Sequence, residues 1–159
     1  MTAAPPLADL LAPDRVRVRW AAASKAALLD QMVALVAPLP AVLDAGRLAA
    51  DVRAREAEMS TGVGEGLALP HARTPAVERT VAAFATLAAP VDYDALDGAP
   101  VRLVLFLAGP EADRARHVRL LARVSLLMAD AVVRDRLLAA DSPEEVIAAV
   151  REAEGALVG

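Results

Sequence analysis

Two histidines are the side chains of this 159-residue chain whose ordinary pKa lies near neutrality, and no cysteine accompanies them. The missing thiol excludes disulfides, thiolate metal sites and thiol nucleophiles from the chain. His71 ends the stretch STGVGEGLALPH, residues 60–71. Gly62, Gly64 and Gly66 allow the backbone there to turn and to expose successive N–H groups, an arrangement able to hold phosphate oxygens; the alternative reading is a flexible turn. Thr61 either donates to a phosphate or caps that turn. The loop lacks the spacing and the lysine of a P-loop and precedes a strand instead of opening a helix, which disfavours a nucleotide.

Pro70 holds Leu69 extended and is expected to turn the chain out of the sheet, so that His71 sits at a strand end, where ligand sites of open α/β sheets lie. His117 shares one helical face with Leu120, Leu121, Val124 and Leu127. It reads either as a structural histidine bonded to a carbonyl or as a companion of His71. Arg55 falls on the apolar stripe of Leu48, Val52 and Met59, and such an arginine either snorkels to water or aims its charge at an anion.

A metal-dependent hydrolase using His71 and His117 is one alternative, but there is no His-x-x-x-His pair and carboxylates would have to supply the other ligands. The serines sit in no nucleophile elbow. One mechanism uses all these residues: a neutral imidazole attacks a phosphoryl group, N–H groups and an arginine hold the equatorial oxygens, and a second histidine steadies the first or its load.

The elements that must position these residues are set by periodicity. RVRVRW, residues 15–20, alternates as a first, edge-like strand, and GLAL, TVAAFATLA and VRLVLFLA read as further strands, the last two apolar on both faces. Ser24 caps a helix that Pro38 and Pro40 end, and Asp44 caps a second helix running to about Met59. Helices are expected from about Glu111 to Ala129, from Ala131 to about Ala140, and after the Ser142 cap. The result is a single α/β domain, residues 1–159, with helices on both faces of its sheet.

Composition narrows the function. The 57% hydrophobic content rests on alanine, and Asp30, Gln31, Asp44 and Asp130 interrupt every apolar run before it reaches membrane-spanning length, so no membrane insertion is expected. The first 15 residues lack a basic segment leading into an apolar core, so neither a signal nor a transit peptide is expected and the location is cytoplasmic. A net charge of −4 with one Trp, one Tyr and two Phe offers nucleic acid neither a basic stripe nor a stacking platform.

The order Arg55-Glu56, Ser60-Thr61-Gly62, Gly64, Gly66-Leu67-Ala68-Leu69-Pro70-His71, followed by Val91-Asp92-Tyr93, Asp97-Gly98-Ala99-Pro100-Val101 and His117-Val118-x-Leu120-Leu121-Ala122, resembles the IIA component of the bacterial phosphoenolpyruvate-dependent sugar phosphotransferase system, fructose/mannitol type, which includes nitrogen-regulatory IIA proteins. The resemblance covers nearly the whole chain. It implies a mixed sheet flanked by helices, a phosphoryl group accepted on Nε2 of His71 from the histidine-containing phosphocarrier protein and passed to a cysteine of a IIB partner, and a site lined by Arg55 and His117. It also implies that no metal, nucleotide or organic cofactor takes part. The nitrogen-regulatory alternative is a module whose phosphorylation switches a different target protein. Glu65 departs from the pattern by placing a carboxylate between two glycines and is read as a solvated loop side chain.

Overall fold

The computed structural model describes residues 4–158; the two ends of the expected 1–159 domain lie outside it. In chain order the elements are α1 (Leu7–Leu10), β1 (Val16–Trp20), α2 (Lys25–Val36), α3 (Ala45–Glu58), β2 (Gly62–Gly64), β3 (Leu67–Ala68), β4 (His71–Thr74), β5 (Val81–Val91), β6 (Val101–Pro110), α4 (Arg114–Ala129), α5 (Ala131–Ala139) and α6 (Pro143–Val158). The caps do what the sequence suggests: Ser24 accepts from the Ala27 N–H, Asp44 from Arg47 and Ser142 from Glu145. α4 begins at Arg114, later than its apolar pattern suggested, because β6 runs to Pro110 and a tight turn to Asp113 intervenes.

The six strands of the described residues form one mixed sheet, in the order β1-β5-β6-β3-β2 with β4 also pairing β6. β5 and β6 are antiparallel at its centre, β1 runs parallel to β5, β3 and β4 run parallel to β6, and β2 is antiparallel to β3. Side chains of the central strands alternate between two cores. Ala83, Ala85, Val104, Phe106 and Ala108 pack under α2 and α3. Ala82, Phe84, Leu103, Leu105 and Leu107 pack under α4, α6 and the N-terminal arm. Burial on both faces explains why these strands read as near-continuous apolar runs. No helix among the described residues is long and apolar enough to cross a membrane.

Two further sequence expectations change. The glycine stretch forms strand β2, hairpinned onto β3 through Gly64, Glu65 and Gly66, all at positive φ (105°, 57° and 77°). The chain also does not leave the sheet at Pro70. Leu67 pairs with Leu103 and Ala68 with Val104, and the same register continues from His71 opposite Leu107 to Thr74 opposite Pro110. Proline has no N–H to donate, so it interrupts the ladder without displacing it; its carbonyl still accepts from Leu107.

Candidate functional site

Among the described residues β4 pairs with β6 alone, which leaves its other side open. A cleft of about 420 Å³ runs along that edge. α3 supplies Arg47, Asp51, Arg55 and Glu58 to its wall, β4 supplies His71 and Arg73, and the start of α4 supplies His117. Because α3 packs on one face of the sheet and α4 on the other, an edge strand is the place that residues from both layers can reach. The structure thus brings Arg55, His71 and His117 into one cleft.

His71 is half-buried, and its Nδ1 lies 2.8 Å from the Leu69 carbonyl oxygen. A carbonyl oxygen can only accept, so Nδ1 carries the proton and Nε2 is left with a lone pair. Burial holds the His71 pKa below its ordinary 6.5; the Leu69 carbonyl opposes this, Arg55 lowers it further and Glu56 pulls it back. The ring is therefore neutral, with Nε2 unprotonated, at neutral pH.

The His117 ring lies 5.7 Å from that of His71, centroid to centroid, at an interplanar angle of 47°. His117 is 4% exposed, and neither of its nitrogens has a hydrogen-bond partner among the described residues. Gly109 makes room for it, since a Cβ there would stand 3.0 Å from Nδ1. Burial first, then the charges of His71 and Arg73, bring the His117 pKa down to about 4. It is a neutral imidazole whose single N–H is desolvated before any ligand arrives.

Arg55 is placed differently from the sequence reading. Met59 is 61% exposed and ends the helix, so the buried stripe of α3 is Leu48, Val52 and Glu56. Arg55 is half-buried, and its Nη1 donates to the Met59 carbonyl at 3.1 Å, a favourable position for a cation at a helix C-terminus. Glu56, which sequence reasoning passed over, is 7% exposed. Its carboxylate accepts from the Thr61 N–H at 2.8 Å and the Thr61 hydroxyl at 2.5 Å, and Lys25 Nζ stands 2.9 Å away, above the Tyr93 ring. This network ties the end of α3 to the start of β2. Glu56→Ala, which strands Lys25 and two Thr61 donors, is expected to cost about 3 kcal/mol, and Glu56→Gln less because an amide oxygen still accepts. Urea unfolding measures both, and wild-type midpoints in the two variants would refute the role.

The phosphate cradle expected at Thr61, Gly62, Gly64 and Gly66 forms no part of the cleft wall. Thr61 is buried on Glu56 and Tyr93. Gly62 packs so closely on Tyr93 and Ala95 that a Cβ would come within 2.8 Å of Ala95. Gly66 lies about 16 Å along the extended chain from His71. Glu65 is exposed, 3.8 Å from Arg134. Arg73 was absent from the sequence reading, which ended the strand at Pro70; because β4 continues the strand, Arg73, two residues beyond His71, emerges on the same side of the sheet.

Residues 9–153 match the family described as phosphoenolpyruvate-dependent sugar phosphotransferase system, EIIA 2. A nitrogen regulatory protein of Pseudomonas aeruginosa is 41% identical over 138 residues, covering 87% of this chain and 90% of that protein. The fructose-specific EIIABC component of Bacillus subtilis is 32% identical over 141 residues, covering 89% of this chain and 22% of that larger protein. The crystal structure of the nitrogen regulatory protein IIA-Ntr from Neisseria meningitidis superposes with a TM-score of 0.85 at 29% identity, over 91% of this chain and 98% of that one.

Proposed function

The chain belongs to the EIIA 2 family of the phosphoenolpyruvate-dependent sugar phosphotransferase system, and from that premise we propose that it is a phosphoryl carrier whose acceptor is Nε2 of His71. The observation that carries this reading is the Leu69 carbonyl on Nδ1, which fixes the tautomer with a lone pair on Nε2 in a ring that lines the cleft of Arg55 and His117.

In the step proposed, the Nε2 lone pair forms a P–N bond as the donor's P–N bond breaks, and the donor imidazole leaves with that electron pair. No proton need move. The phosphorylated ring becomes cationic with Nδ1–H retained, and the Leu69 carbonyl, already accepting from that N–H, stabilises the charge. The migrating group carries its charge on three equatorial oxygens. Arg55 supplies a permanent cation to them, and His117 supplies an N–H that has no other partner among the described residues. The donor in this reading is the histidine-containing phosphocarrier protein, and the recipient is a cysteine of a IIB component.

A second reading concerns the use made of the phosphorylated protein. Control of a target protein by the state of His71 draws on the relative that matches over nine-tenths of its length and is named a nitrogen regulatory protein. An added dianion beside an exposed edge changes docking directly. Incubation with phosphoenolpyruvate, enzyme I and phosphocarrier, and then intact mass measurement, is expected to show one added phosphoryl group, labile in acid and stable in base. An acid-stable adduct would overturn the proposal. Rapid discharge of the labelled protein onto a IIB cysteine identifies the transport role, and persistence of the label in its presence identifies the regulatory one.

A further inference from the structure

Three arginines line the cleft, and their engagements differ. Arg47 lies against both carboxylate oxygens of Asp51, at 3.1 and 3.0 Å. Arg55 and Arg73 have no carboxylate within ion-pair distance among the described residues. Each gives one Nη1 donor to a main-chain carbonyl, Arg55 to Met59 at 3.1 Å and Arg73 to Glu111 at 3.2 Å. A guanidinium has five N–H donors in one plane, so each is anchored by one bond and keeps the others for a ligand.

The position of Arg73 is set by the register. It is paired with Gly109, and the Cβ space of Gly109 faces the His117 ring. Two residues earlier on the same strand and the same side stands His71, paired with Leu107. The His71–His117 pair is thus flanked along β4 by Arg73, while Arg55 approaches from α3. We propose that Arg73 is a second phosphoryl-holding cation of this site, an assignment that rests on His71 being the acceptor. Arg55, Arg73 and His117 then bring donors to the equatorial oxygens from three different elements. Two unneutralised guanidinium groups match the two negative charges of a phosphoryl group, as the single arginine expected from the sequence does not.

The alternative use of Arg73 is as a brace for the turn at Glu111, which leads into the helix of His117. Arg73→Gln removes the charge and keeps an amide donor, and Arg73→Lys keeps the charge without the fork; the Arg73 side chain is exposed, so the fold is expected to persist in both. The experiment measures transfer from phosphorylated phosphocarrier to each variant and records the phosphoryl group of the product by 31P NMR as a function of pH. Arg73→Gln is expected to slow transfer about a hundredfold and Arg73→Lys about tenfold. The phosphoryl resonance of the Gln variant is expected to titrate at higher pH than in the wild type, because a neighbouring cation that favoured the dianion is gone. Slowed transfer with an unmoved titration makes Arg73 a brace and overturns the assignment, as does wild-type behaviour in the Gln variant. A wild-type protein that accepts no phosphoryl group fails at an earlier step, and the acceptor reading and this assignment then fall together.

Discussion

Replacing His71 with alanine is expected to abolish phosphoryl acceptance while the protein stays folded. The imidazole carries the nucleophilic lone pair of the proposed mechanism, and no cysteine is present to take its place. The fold should tolerate the change because His71 is half-buried on an edge strand, and its one side-chain hydrogen bond among the described residues is to a carbonyl two residues away. Neither core draws on it. Labelling should fall to background over hours, with circular dichroism and melting temperature near those of the wild type. A folded His71→Ala protein that still labels on histidine would transfer the acceptor role to His117.

His117 is expected to behave differently in rate and in stability. Its N–H is a preorganised donor, and the loss of one such contact slows a step by about a hundred- to a thousandfold without abolishing it. His117→Met should therefore label at His71, slowly. Stability supplies an independent readout. A folded-state pKa of about 4 against 6.5 means that the unfolded chain binds a proton that the native ring refuses. Full stability is thus present above the unfolded pKa and is lost as pH falls from there toward the folded value. Between about pH 7.5 and about pH 4.5 the wild type is expected to lose about 2–3 kcal/mol more than His117→Met, which carries no such group. Urea unfolding at the two pH values gives the comparison, and parallel losses would refute the buried neutral imidazole.

The layered fold was legible because its determinants are local. Ser24, Asp44 and Ser142 mark helix starts, and the apolar runs of β5 and β6 are long enough to read as doubly covered strands. The convergence of Arg55, His71 and His117 was expected from the family resemblance; the helix-face argument holds for His117 but not for Arg55, which stands beside the buried stripe of α3 and not on it. Strand pairing could not be read in the same way. Short strands such as β2 and β4 exist because β3 and β6 offer them partners, and nothing in GVG or HART alone requires an extended ladder. The glycines were read as a cradle because glycine permits both a tight turn and anion contact, and only the packing of Gly62 on Ala95 and the distance of Gly66 along the strand decide between the two. Glu56 was missed for a related reason: a carboxylate in a helix reads as solvated until Lys25 and Thr61, from other elements, are seen to meet it.

The proposed mechanism turns on which atom carries the phosphoryl group. Phosphorylation from phosphoenolpyruvate through enzyme I and phosphocarrier, with nitrogen-15 and 31P NMR of the histidine-labelled product, reads that atom directly. One phosphohistidine is expected, at Nε2 of His71, with the Nδ1 proton retained toward the Leu69 carbonyl. A phosphoryl group on Nδ1 of His71, or on either nitrogen of His117, would contradict the mechanism.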